Sequence, residues 1–401
     1  MKLDYFRYRM DRTIYYTALL YSFFLPLSRA GIVLFSALLI LFSILEGNWE
    51  EKWHRLRNCK VFLALGLFLI YNLISLIWTD EVVEGLKYIA KYWYFLPMFV
   101  LYLSFPKEKS SHLLLSFILG MVVSEIISYG ILFQFWTTRH GTPDDPTPFM
   151  NHLDYGLFLA FTALLLLSQI IYSKERREKM ITSLFFLTVT GNLFVVGGRI
   201  GQLAFFVSLI VVLLYFTRSF WKSLLLGIVI AGGILILPMQ LSDTFKNRIQ
   251  TGISDIERVL NGDYNSSWGM RVGAWEVAGE ILKNHYLIGA GNEDNIQILK
   301  KITSEKEYLK PLNWYGHFHN QYLQTITALG IVGLILLLNI FFQLAKVPLS
   351  DRDRFIQLSF ISIFLVGFIA EPFLHKQFSM ALWTFVGGYI LIQGGSYGRS
   401  S

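Results

Sequence analysis

The sequence predicts an all-α protein threaded repeatedly through a membrane, and three observations lead there. Of its 401 residues, 54% are hydrophobic and only 16% charged, far from the balance of a water-soluble domain. Apolar runs that reach the roughly 20 helical residues needed to cross a hydrocarbon core recur along almost the whole chain. Basic residues gather in the segments between alternate runs, as cytoplasmic loops require.

Taken in order, the runs place about twelve spans near 13–27, 30–45, 60–78, 86–104, 111–136, 153–172, 179–197, 200–217, 220–238, 318–345, 354–371 and 377–395. The first two come from a segment too long for one crossing and broken by LPLSRAG. Lys2, Arg7, Arg9 and Arg12 precede it, and Lys52, Arg55, Arg57 and Lys60 follow it. Both groups belong in the cytoplasm, so the segment reads as a hairpin. Later basic loops then fall on the same side: Lys107 and Lys109; Lys174, Arg176, Arg177 and Lys179; Arg218 and Lys222; Lys346, Arg352 and Arg354; and Arg399. Both termini are predicted to be cytoplasmic. A basic start before an apolar run also outlines a signal peptide, but no small-residue cleavage site follows it.

The chain therefore reads as one integral membrane domain, 1–401, with a long hydrophilic loop at 239–317 inserted between spans nine and ten on the outer side. Within this loop DTFKNRIQ, SDIERVL and MRVGAWEVAGEILKN carry apolar residues at helical spacing. They read as helices lying over the membrane face. The net charge of +7 is spread over separate loops without a recognition motif, which speaks against nucleic acid as a partner. Cys59 is the only cysteine, so disulfides within the chain and cysteine-rich metal sites are excluded.

Polar residues on the outer side need a reason. Arg199, in VVGGRIGQ, stands where spans seven and eight meet, and Gly197, Gly198 and Gly201 let backbone or ligand come close to it. Arg271 opens a helix of the outer loop. Guanidinium groups keep their charge and grip phosphate through paired donors, so two of them suit an oxyanion. The alternative is that Arg199 snorkels and Arg271 pairs with an acid such as Glu276. YGHFHNQYLQTITALG sets His317, His319, Asn320 and Gln321 at the mouth of a span, where polar groups are expensive unless used. Neutral imidazole there can accept a proton from a hydroxyl, and Asn320 can orient it. The pair is read as an interfacial or general-base element rather than a metal site, because no carboxylate or third histidine stands at helical spacing nearby.

Further candidates surround these. Asn151 and His152, with Asp154, start span six and are either helix caps or substrate contacts. Lys87 and Lys91, four apart on one helix face, either extend a phosphate-attracting funnel or snorkel. Arg139, with Asp144 and Asp145, reads as a solvated loop that can contribute to substrate binding. The D-R-D at 351–353 is similar to the metal-nucleotide aspartates of sugar-nucleotide transferases, but it stands alone on the cytoplasmic side and reads as a charged turn.

These parts also come in a familiar order. An arginine in GGRIG at an outer helix junction, then R-x-x-x-W-E-x-A in a large loop ending in YLIGAGN, then H-N-x-Y-L trailed by A-L-G-I-V-G, resembles the O-antigen ligase family of bacterial inner membranes. Gly198 stands where that family's first arginine motif commonly has serine. The resemblance implies a GT-C type glycosyltransferase of the Gram-negative inner membrane with its active site facing the periplasm. Such an enzyme moves O-antigen polysaccharide from undecaprenyl diphosphate to the lipid A-core oligosaccharide, in contact with membrane lipids and without metal or other cofactor. By motif, His319, Arg199 and Arg271 match the family's essential residues. The expected mechanism clamps the leaving diphosphate with the arginines, uses His319 as base, and inverts the anomeric carbon. Two alternatives stay open: an O-antigen polymerase with the same donor and a lipid-linked glycan acceptor, and a polyprenyl-glycan transporter. A transporter would carry its polar residues near mid-membrane, whereas here they gather at the outer face.

Overall fold

The computed structural model describes residues 2–138, 141–227 and 254–395. Regular structure among them is helical, apart from one isolated β-bridge between Thr142 and Asp145. The expected hairpin is present as α1 (Lys2–Phe24) packed against α2 (Arg29–Glu46). Ser28 separates them by capping α2, its hydroxyl accepting the Gly31 N–H at 3.1 Å. A short α3 (Trp49–Asn58) leads into α4 (Lys60–Ile74).

The predicted span at 86–104 divides into α5 (Val82–Ala90), a 3₁₀ turn over Lys91–Phe95, and α6 (Leu96–Ser104). Pro97 explains the division, since proline starts a helix readily but cannot donate within one. Next come α7 (Ser110–Leu132), α8 (His152–Tyr172), α9 (Arg176–Val195) and α10 (Arg199–Thr217). Beyond residue 227 the ninth predicted span, together with the segment DTFKNRIQ, lies outside the described residues. After it come α11 (Ser267–His285), α12 (Asp294–Glu305), α13 (Gln321–Ala345), α14 (Asp351–Gly367) and α15 (Gln377–Gly394). The predicted span 354–371 thus ends at Gly367, leaving the next residues free to shape a site.

Among the described residues, six helical stretches are long and apolar enough to cross a membrane: Arg29–Glu46, Lys60–Ile77, Lys107–Leu132, His152–Tyr172, Arg199–Thr217 and Gln321–Ala345. With the other apolar helices they make this a multi-pass membrane protein. α8 is the centre, packing on α9, α10 and α14, while α13 lies along α4 and α15 along α6. Lipid tails are as apolar as leucine, so such helices associate by fit rather than by escape from water. Phe117, Phe158, Phe161, Phe360 and Trp383 interlock in the middle. At the α8–α10 crossing there is no room even for a methyl group, because a Cβ on Gly201 would come within 2.6 Å of the Gly156 backbone. Gly198 and Gly201 thus admit backbone, whereas Gly197 faces the Asp145 carboxylate and lines a cavity.

The hydrophilic loop has a small core of its own, built from Ala274, Val277 and Ile281 of α11, Ile296 and Leu299 of α12, and Leu309, Leu312 and Phe318. It is joined to the bundle through a break in α13. Gly330 leaves the helical conformation (φ 66°, ψ −170°), which frees backbone groups. The stretch 286–292 runs into that gap and satisfies them: Ala290 N–H donates to Thr327 O and Gly291 N–H to Ala328 O, both at 2.9 Å, while Ile331 N–H donates to Tyr286 O at 2.8 Å. Side chains complete the seam. Asn295 Nδ2 donates to Thr327 Oγ1 at 2.8 Å, and Asn292 Nδ2 reaches Asn72 Oδ1 at 3.2 Å. The Asp294 carboxylate accepts from the Asp80 and Glu81 amides at 2.6 and 3.0 Å.

A Cβ on Gly330 would meet Leu287 O at 2.2 Å, and the backbone there is left-handed. Gly330→Ala is therefore expected to destabilise the protein by about 1–3 kcal/mol, whereas Gly279→Ala, on an open helical face with nothing near its Cβ, is expected to be neutral or slightly stabilising. Thermal unfolding of the detergent-solubilised variants tests the pair. Equal melting temperatures would mean that the break does not hold the loop to the bundle.

Candidate active site

His317 and His319 lie in the short segment between the loop core and α13. Asn320 caps α13, its side-chain oxygen accepting the Leu323 N–H at 3.1 Å. His319, just before the cap, has φ 48°, a left-handed conformation that costs a non-glycine residue about 1–3 kcal/mol. That conformation turns its ring toward Glu371, a wholly buried carboxylate in the turn after α14. His319 Nδ1 lies 2.9 Å from Glu371 Oε2, the Lys376 ammonium 2.8 Å from Oε1, and His317 Nε2 3.4 Å from Oε1.

Burial alone would raise the Glu371 carboxyl, but the hydrogen bond from His319 and the charges of Lys376 and the histidines overcome it and hold it at about 2. An ionised carboxylate can only accept, so the His319 proton in this pair belongs on Nδ1, and Nε2 keeps its lone pair. His317 is assigned the other way. Its Nδ1 accepts the His319 backbone N–H at 3.2 Å, which leaves the proton on Nε2, facing Glu371. Burial pushes the His317 imidazole down to about 4, with Glu371 opposing and the nearby cations adding to the depression.

A cavity of about 430 Å³ adjoins this cluster, lined by Gly197, by Arg199, Ile200 and Leu203 of α10, by Asp255, by Arg271, Trp268 and Trp275 of α11, by His152 and Leu153, and by Ile369 and Ala370. It brings together Arg199, Arg271 and His152, which lie far apart in sequence. Ile369 and Ala370 lead directly into Glu371, and the Tyr315 ring, 4.5 Å from that of His319, lies within the influence of both Arg271 and Glu371. The cavity combines apolar lining with two arginines and one acid, Asp255, a composition suited to an amphiphile with an anionic head.

The remaining candidates are distributed less uniformly. His152 Nδ1 lies 3.0 Å from Asp145, whose other oxygen accepts the Gly197 N–H at 2.8 Å. Asp145 thus ties α8 to the arginine turn instead of belonging to a solvated loop. Asn151 caps α8, accepting from the Leu153 and Asp154 amides. Gln321 is buried and structural: its N–H donates to Phe368 O at 2.8 Å and its Oε1 accepts from Leu374 N–H at 3.0 Å. Lys87 is exposed and paired with Glu84 at 2.5 Å. Lys91 follows four residues later as the helical C-cap of α5, where the 3₁₀ turn begins, and its charge reaches His317. Arg139 lies outside the described residues. Sequence reasoning missed Glu371 and Lys376. The signal was EPFLHK, an acid, a histidine and a lysine at the end of an apolar run in a chain with few charges there.

The structure supplies the carboxylate that the sequence did not place beside the histidines. Ligand atoms of His317, His319 and Glu371 all lie within 4.8 Å of one another, close enough to consider a metal ion. The Lys376 ammonium, however, already compensates that carboxylate, and each histidine nitrogen facing it is the protonated one. This donor set fits an internal ion pair and hydrogen bonds better than a cation.

Helical bundle, cationic cavity and histidine–carboxylate cluster together define a multi-pass membrane protein with a polar site at one end of the bundle. Comparison with known proteins adds a likeness: residues 184–338 match the family described as O-Antigen ligase. This bears out the resemblance read from the motifs and points to glycan processing of the O-antigen ligase or polymerase kind. Arg199, Arg271, His317 and His319 all fall inside the match, and Glu371 lies beyond it. The chain is also similar to an uncharacterized protein of Haemophilus influenzae, 22% identical over 70% of each chain. It is 22% identical to the teichuronic acid biosynthesis protein TuaE of Bacillus subtilis over 59% of this chain, and spans about half, 54%, of that relative.

The depressed His317 gives a pH signature. Between about 4 and its free value of 6.5 the folded protein binds fewer protons at this site than the unfolded chain, so stability rises with pH and is lost on acidification across that window. Glu371, held near 2, stays ionised throughout it. Melting temperatures measured from pH 4 to 7 are expected to fall less steeply on acidification in His317→Gln than in the parent. Parallel curves would contradict a buried neutral His317.

Proposed function

We propose that this protein is a glycosyltransferase that moves O-antigen polysaccharide from undecaprenyl diphosphate to the lipid A-core oligosaccharide. The reading places it in the Gram-negative inner membrane with about twelve spans, a GT-C type architecture, and an active site facing the periplasm. The observation that carries it is that the cavity holding Arg199 and Arg271 reaches Ile369 and Ala370, next in the chain to Glu371 and its partner His319, with both arginines and His319 inside the family match. Arg199 and Arg271 receive the diphosphate and neutralise the charge that grows on it as it leaves. Along the apolar wall, Ile200, Leu203 and the tryptophans accept the first part of the prenyl chain.

His319 Nε2 takes the proton of the acceptor hydroxyl as that oxygen bonds to the anomeric carbon. The bond from that carbon to the diphosphate breaks at the same time, and its electron pair leaves with the phosphate. Attack opposite the leaving group inverts the anomeric carbon. The energy is already in the diphosphate-linked sugar, and permanently charged guanidinium groups do the neutralising that a metal performs elsewhere.

Reconstitution with undecaprenyl-diphosphate glycan, lipid A-core and EDTA, followed by gel analysis of the acceptor, tests this reading. Glycan is expected on lipid A with the parent protein and absent with His319→Ala. Arg199→Gln or Arg271→Gln is expected to lower kcat by about 10²–10³. Longer undecaprenyl-linked glycans beside unmodified lipid A would make the protein a polymerase. Loss of activity in EDTA, restored by a divalent ion, would overturn the metal-independent mechanism.

A further inference from the structure

Glu371 has no part in the mechanism above, yet its environment is the most constrained in the site. It is fully buried, it is clamped on both sides, and nothing in its own helix requires it. Gln321, two residues past His319, binds Phe368 O on one side of Glu371 and the Leu374 N–H on the other. One residue at the start of α13, through its backbone N–H and its side-chain oxygen, therefore sets the height of the carboxylate relative to the histidine. The Phe373 N–H donates to Glu371 O at 2.9 Å and tightens the same turn. Lys376, at the far end of that turn, pairs with the oxygen that His319 does not use.

We propose that Glu371 is a positioning residue: it holds the His319 ring by Nδ1–H and leaves Nε2 as the acceptor-facing base, while Lys376 keeps the carboxylate in place. This rests on the reading of His319 as base. Each feature around the pair then has a use. The left-handed backbone at His319 aims Nδ1 at Oε2, and the Tyr315 and His317 rings, 4.5 and 4.1 Å from that of His319, limit its rotation. When Nε2 takes the acceptor proton, the resulting imidazolium faces the carboxylate, and no proton needs to pass to Glu371. Lys376 also prevents excess negative charge beside the leaving diphosphate.

The test compares His319→Ala, Glu371→Gln, Glu371→Asp and Lys376→Met in full-length protein reconstituted with the same donor and acceptor. Glutamine keeps the shape but can turn its amide donors toward Nδ1 and select the wrong tautomer. Glu371→Gln is expected to lose about a hundredfold or more in kcat with little change in donor KM. The acid limb of its kcat/KM profile is expected to move to lower pH, because the charge that favours the imidazolium is gone. The groups facing His319 that could otherwise move this limb are Tyr315, His317 and Lys376, with Lys91 and Arg271 further off, and all of them are retained in that variant. Glu371→Asp is expected to recover part of the loss, and Lys376→Met to lose less than Glu371→Gln.

An active His319→Ala would remove the base reading itself. An inactive His319→Ala beside a Glu371→Gln with unchanged kcat and pH profile would overturn only the positioning role. Should Glu371→Gln fail to keep its melting temperature, ¹⁵N shifts of the His319 ring in the parent protein decide: a proton on Nδ1 supports the proposal, and a proton on Nε2 refutes it.

Discussion

A backbone that leaves its helix inside a membrane protein must find new hydrogen-bond partners, and the rest of this structure follows from how α13 meets that demand. The groups released at Gly330 pair with the stretch 286–292, so the hydrophilic loop is held to the bundle by main-chain bonds as well as side-chain contacts. That attachment has two effects. It places α11, and Arg271 with it, beside the start of α10. It also fixes the path of the chain from the loop core into His317 and His319. A loop tethered only at its ends would carry the same residues without holding them to one cavity.

Two kinds of close approach then divide the work. Glycine against glycine at the α8–α10 crossing draws the arginine turn toward His152 and Asp145. At the start of α13 the approach is polar instead: Gln321 binds both sides of the turn that carries Glu371. The first is achieved by having no side chain, the second by a backbone donor and a side-chain acceptor on one residue. Both set charged groups at the end of the bundle, where a charge costs less than at mid-membrane.

The buried carboxylate is the electrostatic counterpart of the helix break. Desolvation disfavours its charge, and only convergence of His319, His317 and Lys376 keeps it ionised. Those partners come from two separate stretches of chain, so the pair also ties the turn after α14 to the start of α13. Arg199 and Arg271 stand on the neighbouring cavity wall, where an anionic group would meet fixed positive charge and apolar surface. Trp268 and Trp275 line the same cavity, each with an apolar body and a polar edge.

Much of this was legible in the residues. Hydropathy identified the helices, LPLSRAG marked the first turn, and motif spacing singled out Arg199, Arg271 and His319, because each of these depends on neighbours along the chain. The division of α5 from α6 was visible only as Pro97, and Asn151 already carried the cap signal that the structure bears out, whereas Asn320, read as orienting the histidine, has its side-chain oxygen on the first turn of α13. Glu371 was hidden because its meaning depends on residues about fifty positions away: read along the chain, it was the last residue of an apolar run. Local pattern thus determines which segments are helical and which side chains are chemically unusual. Which of those side chains meet is a matter of long-range geometry, settled by the broken helix and the two close approaches, and no periodicity within a single segment encodes it.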